Sequence, residues 1–155
     1  MGFNVAGLII RKKIDQSGIE TLLDNKISFT EEVDFEEATS MEKEDSAIDI
    51  LQNESGTLLL TTLGSMFDLS DTSDDIIQFM LSEISDTYYF EHYNNGQLIR
   101  KFIYSQGEIA EDTGEGIVSE DDDLADKVWE LAGSYLQNDF AENMFDHRFK
   151  RYELA

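Results

Sequence analysis

The stretch from Asp86 to Thr113 restricts the possible folds of this chain more than any other. It contains Asn95-Gly96 between two runs rich in aromatic and apolar residues. This dipeptide favours a type I′ hairpin turn, because both of its residues tolerate a positive φ. Gln106-Gly107 predicts a second tight turn further along. The stretch therefore predicts three consecutive antiparallel strands, a meander.

The two predicted turns set the cross-strand partners of the meander. Opposite charges or aromatic rings that face each other across antiparallel strands stabilise a sheet by about 0.2–1 kcal/mol per pair. The expected pairs are Tyr93–Leu98, Glu91–Arg100 and Tyr89–Phe102 across the first turn, and Tyr104–Ile109, Phe102–Glu111 and Lys101–Asp112 across the second. Alternation then predicts one face with Tyr89, Glu91, Tyr93, Arg100 and Phe102, and another with Tyr88, Phe90, Ile99 and Ile103.

The rest of the chain alternates between strand-like and helix-like patterns. Apolar residues at spacing two, or in short continuous runs, predict strands over residues 3–10, 27–35, 47–51 and 57–63. Helical spacing after capping residues predicts helices over 15–25, 70–84, 119–136 and 138–145, and residues 36–45 read as a solvated loop. The sequence thus predicts an α+β fold in a single compact domain, residues 1–155. We expect a mostly antiparallel sheet with a three-stranded C-terminal meander, packed by two to four helices mainly on one face.

The charge of the chain limits its partners. The formal net charge is −23, with 34 acidic against 11 basic residues, and no Lys or Arg lies between Glu44 and Ile99. Such a field repels nucleic acid and anionic membranes, and it attracts basic proteins or cations. The basic tail, with Arg148, Lys150 and Arg151, is interpreted as an intramolecular counterweight to the acidic body.

Several features predict a cytoplasmic protein. The chain has no cysteine, which excludes disulfides and thiolate metal sites and fits a reducing compartment. No run approaches the roughly 20 apolar residues of a membrane helix. The charges near the N-terminus follow the apolar run, which is the wrong order for a secretory signal.

No motif of catalysis or metal binding stands out. The acids between Asp68 and Asp75 lack the glycine and the final glutamate of a calcium loop. His92 and His147 are the only histidines and lie far apart in the sequence, so neither zinc nor a hydrolytic triad is indicated. His92 is expected to be a structural histidine on a strand. We predict no metal, no cofactor and no enzymatic activity, although 34 acids leave open an enzyme with a carboxylate-lined site, with or without the assistance of a metal.

Protein recognition is the function that these observations favour. Tyrosines beside carboxylates can anchor an interface to a basic partner. Whether the tyrosine face of the meander is open or is part of the core stays open at this point. The predicted partner-binding residues are Glu31, Glu32, Asp34, Glu36, Glu37, Asp74, Asp75, Tyr89, Tyr93, Glu120, Asp121, Asp122 and Asp123.

The stretch YYFEHYNNGQLIRKFIYSQGEIAEDTGE, followed by a long amphipathic helix, resembles the small acidic immunity proteins of bacterial polymorphic-toxin and secretion systems. The resemblance implies a stoichiometric inhibitor that neutralises a basic toxin domain by binding it. It assigns no role to an individual residue. A structural subunit of a larger assembly is a further alternative, and the sequence predicts no oligomeric state.

Overall fold

The centre of the molecule is an antiparallel sheet of nine strands, seen in a computed structural model that describes residues 3–64 and 66–155. The strands are β1 (Asn4–Ile10), β2 (Ile27–Asp34), β3 (Ala47–Gln52), β4 (Thr57–Thr61), β5 (Ile76–Ser82), β6 (Thr87–Asn94), β7 (Gln97–Ser105), β8 (Glu108–Gly114) and β9 (Arg148–Leu154). Their order across the sheet is β2-β9-β3-β4-β1-β5-β6-β7-β8. The outermost strands are therefore β2 and β8.

Four helices accompany the sheet in the described part of the chain. They are α1 (Gln16–Leu23), α2 (Phe35–Ala38), α3 (Leu124–Leu136) and α4 (Phe140–Asn143), and a 3₁₀ turn covers Met144–Asp146. Asp15 begins α1 by accepting from the Gly18 amide, and Asp123 begins α3 by accepting from the Asp126 amide. The predicted α+β class with a mostly antiparallel sheet is confirmed.

The sheet is covered on both faces at its centre. One face, called here the α3 face, carries Val5, Ile9, Phe79, Phe90 and Phe102 under α3, with Phe35 of α2 and Phe140 of α4 in the same core. The opposite face, called here the α1 face, carries Leu8, Ile10, Leu59 and Ile76 against Ile19 and Leu23 of α1. All residues of β1 and β4 are buried, because strands in this position pack on both sides.

Gly7 allows β1 to lie in this crowded centre. A Cβ at this position would lie 2.2 Å from the Leu59 carbonyl oxygen and 2.8 Å from the Phe79 ring. Only glycine fits where backbone and an aromatic ring approach so closely.

The prediction of a helix over residues 70–84 is wrong. Residues 76–82 form β5, which pairs with β1 and β6, and residues 70–75 form the loop before it. Ile77, Phe79 and Leu81 are buried on the α3 face of the sheet, and Ile76 is buried on the α1 face. The prediction failed because Ile76, Ile77, Met80 and Leu81 also fit the spacing of one side of a helix.

The C-terminal tail forms a strand, β9, which the sequence pattern did not indicate. It inserts between β2 and β3, and its residues Arg148–Leu154 pair with both. Segment 36–45, predicted as a loop, begins with the short helix α2. The chain therefore returns at its end to complete the side of the sheet that begins with β2.

The predicted registers of β6, β7 and β8 are correct next to the turns and wrong beyond them. Tyr93 faces Leu98 and Tyr104 faces Ile109, as expected. Register shifts then leave Ile99 and Ala110 as extra residues, so that every later partner moves by one position. The observed pairs are Glu91–Lys101, His92–Arg100, Tyr89–Ile103, Phe90–Phe102, Phe102–Asp112 and Lys101–Thr113.

The shifts also change which side chains share a face. Phe102 lies in the α3-face core with Phe90, whereas it was predicted on the face of Tyr89 and Glu91. Arg100 is buried and points towards the loop that follows β8, not towards Glu91.

Candidate protein-binding surface

A polar cluster ties β1, β5, β6 and α3 together at one end of the sheet. The Asp75 carboxylate accepts hydrogen bonds from Tyr135 Oη (2.7 Å) and Arg11 Nε (3.0 Å). His92 Nε2 lies 2.7 Å from the same Asp75 oxygen that Tyr135 contacts. The Arg11 guanidinium also stacks over the Tyr135 ring, 3.9 Å from its centroid. One carboxylate thus joins four elements.

The electrostatics of this cluster favour one protonation state. Partial burial opposes ionisation of Asp75, but its three hydrogen-bond partners outweigh burial and lower its pKa. Burial and the nearby Asp75 carboxylate raise the pKa of Tyr135. Asp75 is therefore ionised and Tyr135 protonated at neutral pH. His92 is a satisfied structural histidine, as the sequence predicted.

A groove of about 780 Å³ opens on the α1 face, between α1 and the loop before β5. Apolar side chains, including Ile14, Leu22 and Phe67, line it together with four acids: Asp24, Asp68, Asp71 and Asp74. One base, Lys12, also lines the groove, and its Nζ lies 2.8 Å from Asp74. The groove combines apolar surface with an acidic rim.

Gln78 holds the loop that forms one wall of the groove. Its side chain contacts the Phe67 amide at 2.8 Å and the Phe67 carbonyl at 3.0 Å, and it donates to Glu91 at 2.9 Å. The Ser70 hydroxyl and amide donate to Asp68 and lower the pKa of this carboxyl. The wall is therefore fixed from the sheet below.

A dense acidic surface lies at the β8 side of the sheet. Residues 108–126, called here the β8 surface, comprise β8, the following loop and the first turn of α3. No Lys or Arg occurs between Phe102 and Asp126. The nine acids of the β8 surface are Glu108, Glu111, Asp112, Glu115, Glu120, Asp121, Asp122, Asp123 and Asp126. Only Asp112 takes part in an ion pair within the described chain, and its partner is Arg100.

Arg100 fixes the backbone of the β8 surface from beneath. Its side chain, 5% exposed, donates to Asp112 and to the carbonyl oxygens of Thr113 (3.0 Å), Gly116 (3.1 Å) and Val118 (2.7 Å). Most of the N–H groups of Arg100 donate to backbone carbonyls, so this buried guanidinium mainly fixes the loop after β8 and neutralises only Asp112.

The predicted residues Glu120 to Asp123 lie in the β8 surface. Asp122 accepts from the Ser119 amide (2.8 Å), and Asp123 is the N-cap of α3. Glu120 and Asp121 are exposed. Two of the four acids therefore also have a local structural task.

The predicted residues of β2 and α2 face the basic tail. Across the β2–β9 pair, Glu31 lies opposite Arg151, Glu32 opposite Lys150 and Asp34 opposite Arg148. Asp34 and Glu37 form a capping box at the start of α2, and Glu36 is exposed in its first turn. The bases of the tail thus lie opposite these acids in register, but the ion pair that the tail forms in the described chain joins Arg151 to Asp49. The role of the tail as an intramolecular counterweight stays a prediction.

A buried ionic triad lies beneath the β2 side. Asp49, fully buried, accepts from Lys43 Nζ at 2.9 Å and from Arg151 Nε at 2.8 Å. Lys43 also donates to the Leu60 carbonyl at 2.9 Å, and burial lowers its pKa against the attraction of Asp49. Sequence reasoning missed this triad. The signals present were one acid inside the apolar run 47–51 and one base within the acidic segment 31–45.

Tyr89 and Tyr93 are half-buried on the α1 face of β6. They are thus neither fully exposed nor part of the core, the two alternatives that the sequence left open. Glu91 between them is 7% exposed and bound to Gln78. The Lys101 ammonium lies 5.6 Å from the centroid of the Tyr89 ring. Burial and the neighbouring Glu91 raise the pKa of Tyr89 above its usual range.

The predicted partner-binding residues fall into separate regions. Those of β2 and α2 lie at one end of the strand order, those of residues 120–123 precede α3, and Asp74 and Asp75 lie before β5. Among residues 3–64 and 66–155, no group of three His, Asp or Glu side chains has the arrangement of a metal site. No helix in the described segments has the length and apolar character needed to cross a membrane.

No family model matches the sequence, and no curated protein or solved structure is detectably similar to it.

Proposed function

We propose that the chain is an acidic protein-binding module and that its partner is a basic protein. The form that we favour is a cytoplasmic immunity or inhibitor protein that neutralises a basic toxin domain by stoichiometric binding. The observation that carries the proposal is the β8 surface, where eight of nine acids have no basic partner in the described chain.

The use of the basic side chains supports this proposal. Seven of the eleven Lys and Arg residues form ion pairs within the chain: Arg11, Lys12, Lys13, Lys26, Lys43, Arg100 and Arg151. The bases that remain do not lie in the β8 surface, because residues 102–126 contain none. The β8 surface therefore has to rely on Arg100 and on the bordering Lys101 and Lys127 for any positive charge within the chain.

Such a potential favours rapid association with a basic surface. Complementary charge can raise association rate constants from about 10⁵–10⁶ to about 10⁸–10⁹ M⁻¹s⁻¹ at low salt. Rapid capture is useful to an inhibitor that must bind a toxin before the toxin acts. The same field repels nucleic acid and anionic membranes, so neither is a proposed partner.

The alternative of an enzyme would draw on the cluster of Asp75, His92 and Tyr135. These groups hydrogen-bond one another and leave no free base beside a nucleophile. A metal-assisted form can be tested by thermal unfolding with and without Mg²⁺, Ca²⁺ or Mn²⁺. A rise in Tm with one cation, absent in its potassium control, would favour the enzyme over the binding module.

The proposed function is tested with the products of the genes that neighbour the one encoding this chain. Each basic product is co-expressed with the chain, and complexes are sized by light scattering. We expect one product to arrest growth when expressed alone, to be neutralised by co-expression, and to form a complex of fixed stoichiometry that weakens in high salt. If every neighbouring basic product fails to bind and none is rescued, the immunity proposal is wrong.

A further inference from the structure

The outer edge of β8 is an accessible sheet edge. β8 ends the strand order, and in the described part of the chain it pairs with β7 alone. Six of its seven residues are exposed. Alternate backbone N–H and C=O groups of an outermost strand point away from the sheet and can pair with another chain.

The charges along β8 select which chain can pair. The residues of β7 that face Glu108 and Glu111 are Ser105 and Ile103, so β7 places no charge directly opposite these acids, and its nearest base is Lys101, opposite Thr113. A second copy of β8 would place acid against acid, and like charges directly opposite each other destabilise a sheet. A strand with Lys or Arg at alternating positions would instead place base against acid.

The edge also carries apolar contact surface. Ile109 on β8 is 38% exposed and lies opposite Tyr104, near the turn before β8. The exposed Leu98 and Ile99 lie at the other end of β7 and are not part of this edge. Isolated exposed apolar residues are common, but Ile109 accompanies an unpaired strand edge and two acids. This combination of apolar contacts with a charged rim is typical of protein interfaces.

The edge is held in its conformation before any partner arrives. Arg100 binds Asp112 and the carbonyls of the loop after β8, as described above. Gly114 lies so close to the β7 backbone that a Cβ would be 1.9 Å from the Ile99 carbonyl oxygen. A strand that is already fixed loses less conformational entropy on binding.

We propose that β8 receives an extended basic segment of the partner as an additional strand of the sheet. Backbone hydrogen bonds to β8 supply the pairing, and Lys or Arg side chains of the segment face Glu108, Glu111 and their neighbours. This inference rests on the proposed function, because it says where and how a basic partner binds.

The test uses the full chain, two peptides of equal charge and chemical-shift mapping of the backbone amides. The first peptide, Lys-Val-Lys-Val-Thr-Val-Lys-Val-Lys, favours an extended strand. The second has Pro in place of each Val, so it lacks the N–H donors that a strand needs. We expect the first peptide to bind about tenfold more tightly than the second, with shifts concentrated in residues 106–114.

Two charge-matched variants locate the binding. E108K/E111K reverses two acids at β8, and E31K/E32K reverses two at β2, so both variants have the same net charge. We expect the first variant to lose about tenfold in affinity for the Val peptide and the second to lose less than about twofold. Circular dichroism checks that both variants fold, and the pair E108Q/E111Q and E31Q/E32Q repeats the comparison without adding like-charge contacts.

Any of the following results would contradict strand addition at β8. Equal affinity for the two peptides would mean that charge alone drives binding, and equal losses in the two variants would mean that β8 is not the site. Shifts confined to the groove beside α1 would place the basic segment there. Failure of the Val peptide to bind at low salt would also reject the inference. The proposed function fails separately, if no basic neighbouring gene product binds the chain.

Discussion

The two outermost strands of the sheet, β2 and β8, both carry acids, but their surroundings differ. At β2, the neighbouring strand β9 places Arg148, Lys150 and Arg151 opposite the acids. At β8, the neighbouring strand β7 places Ser105 and Ile103 opposite Glu108 and Glu111. Bases therefore lie directly opposite the acids of β2, whereas uncharged residues lie opposite Glu108 and Glu111 of β8.

This comparison shows that net charge alone does not identify a binding surface. The acidic segment 31–45 is prominent in the sequence, yet the fold brings the basic tail to it. Glu108 to Asp112 is a less prominent run, yet it receives only Arg100, whose donors are mostly taken by backbone carbonyls. The location of the bases decides where negative potential persists.

The largest expected effect is a loss of stability when the buried triad of Lys43, Asp49 and Arg151 is disrupted. Asp49→Ala would leave the Lys43 ammonium buried without its counter-charge and would free Arg151. We expect a loss of about 3–5 kcal/mol in the free energy of unfolding, measured by urea denaturation. The double variant Lys43→Met/Asp49→Leu removes both charges and should lose less. A single variant that is no less stable than the double one would contradict the role given to this triad.

The next effect concerns the support of the β8 side. Arg100→Leu removes the donors that hold Asp112 and the carbonyls of Thr113, Gly116 and Val118. We expect a loss of about 2–3 kcal/mol in the free energy of unfolding and faster hydrogen exchange in residues 108–118. Lys101→Leu, on the neighbouring position of β7, is the control and should cost less than about 1 kcal/mol. Unchanged exchange in Arg100→Leu would show that the edge is not held by this side chain.

A third prediction concerns Asp75, whose polar cluster joins β1, β5 and β6 between the two edge strands. The pKa of Asp75 is lower in the folded state than its usual value of 3.8, so the unfolded state binds its proton first. The contribution of Asp75 is therefore complete above pH 3.8 and is lost as the pH falls through the folded pKa. Asp75→Asn should lose about 1–2 kcal/mol at pH 7, and its deficit should shrink in acid.

Exposed Asp71→Asn is the control for this measurement and should follow the wild-type pH profile. A deficit in Asp75→Asn that is the same at pH 7 and in acid would mean that the ionised carboxylate does not bind Arg11, His92 and Tyr135 as described.

The smallest expected effect comes from neutralising two acids at each edge of the sheet. E31Q/E32Q removes acids that face bases, so we expect it to lose about 0.2–1 kcal/mol of stability. E108Q/E111Q removes acids that repel their neighbours, so it should be neutral or slightly more stable. Both differences should shrink in about 0.5 M sodium chloride, where surface charges are screened. Equal changes of the same sign in thermal unfolding would contradict the difference between the edges.

Much of the architecture could be predicted from the sequence because local patterns encode it. The alternation in residues 27–34, the turn at Asn95-Gly96 and the helical stripe of residues 124–136 each indicate their element. β5 could not be recognised in this way, because its apolar residues Ile76, Ile77, Met80 and Leu81 fit helical spacing as well as a strand. The extra residues Ile99 and Ala110 shift the register in a manner that no local pattern reveals.

The candidate site was less predictable because it depends on distant pairing. The contact between Glu31 and Arg151 joins residues from opposite ends of the chain, and Asp49 lies between them in the sequence. Charge clusters can be read from a sequence, but their neutralisation requires the strand order. The predicted register places Lys101 opposite Asp112, whereas the observed register places Lys101 opposite Thr113.

The most direct measurement is hydrogen exchange of the free chain and of its complex with the cognate basic partner. Amides that pair with an added strand exchange slowly, so binding at β8 should protect residues 108–114 and leave residues 27–34 of β2 unchanged. Protection of β2, or of the loop before β5 alone, with β8 unaffected, would contradict the assignment of binding to the uncompensated edge.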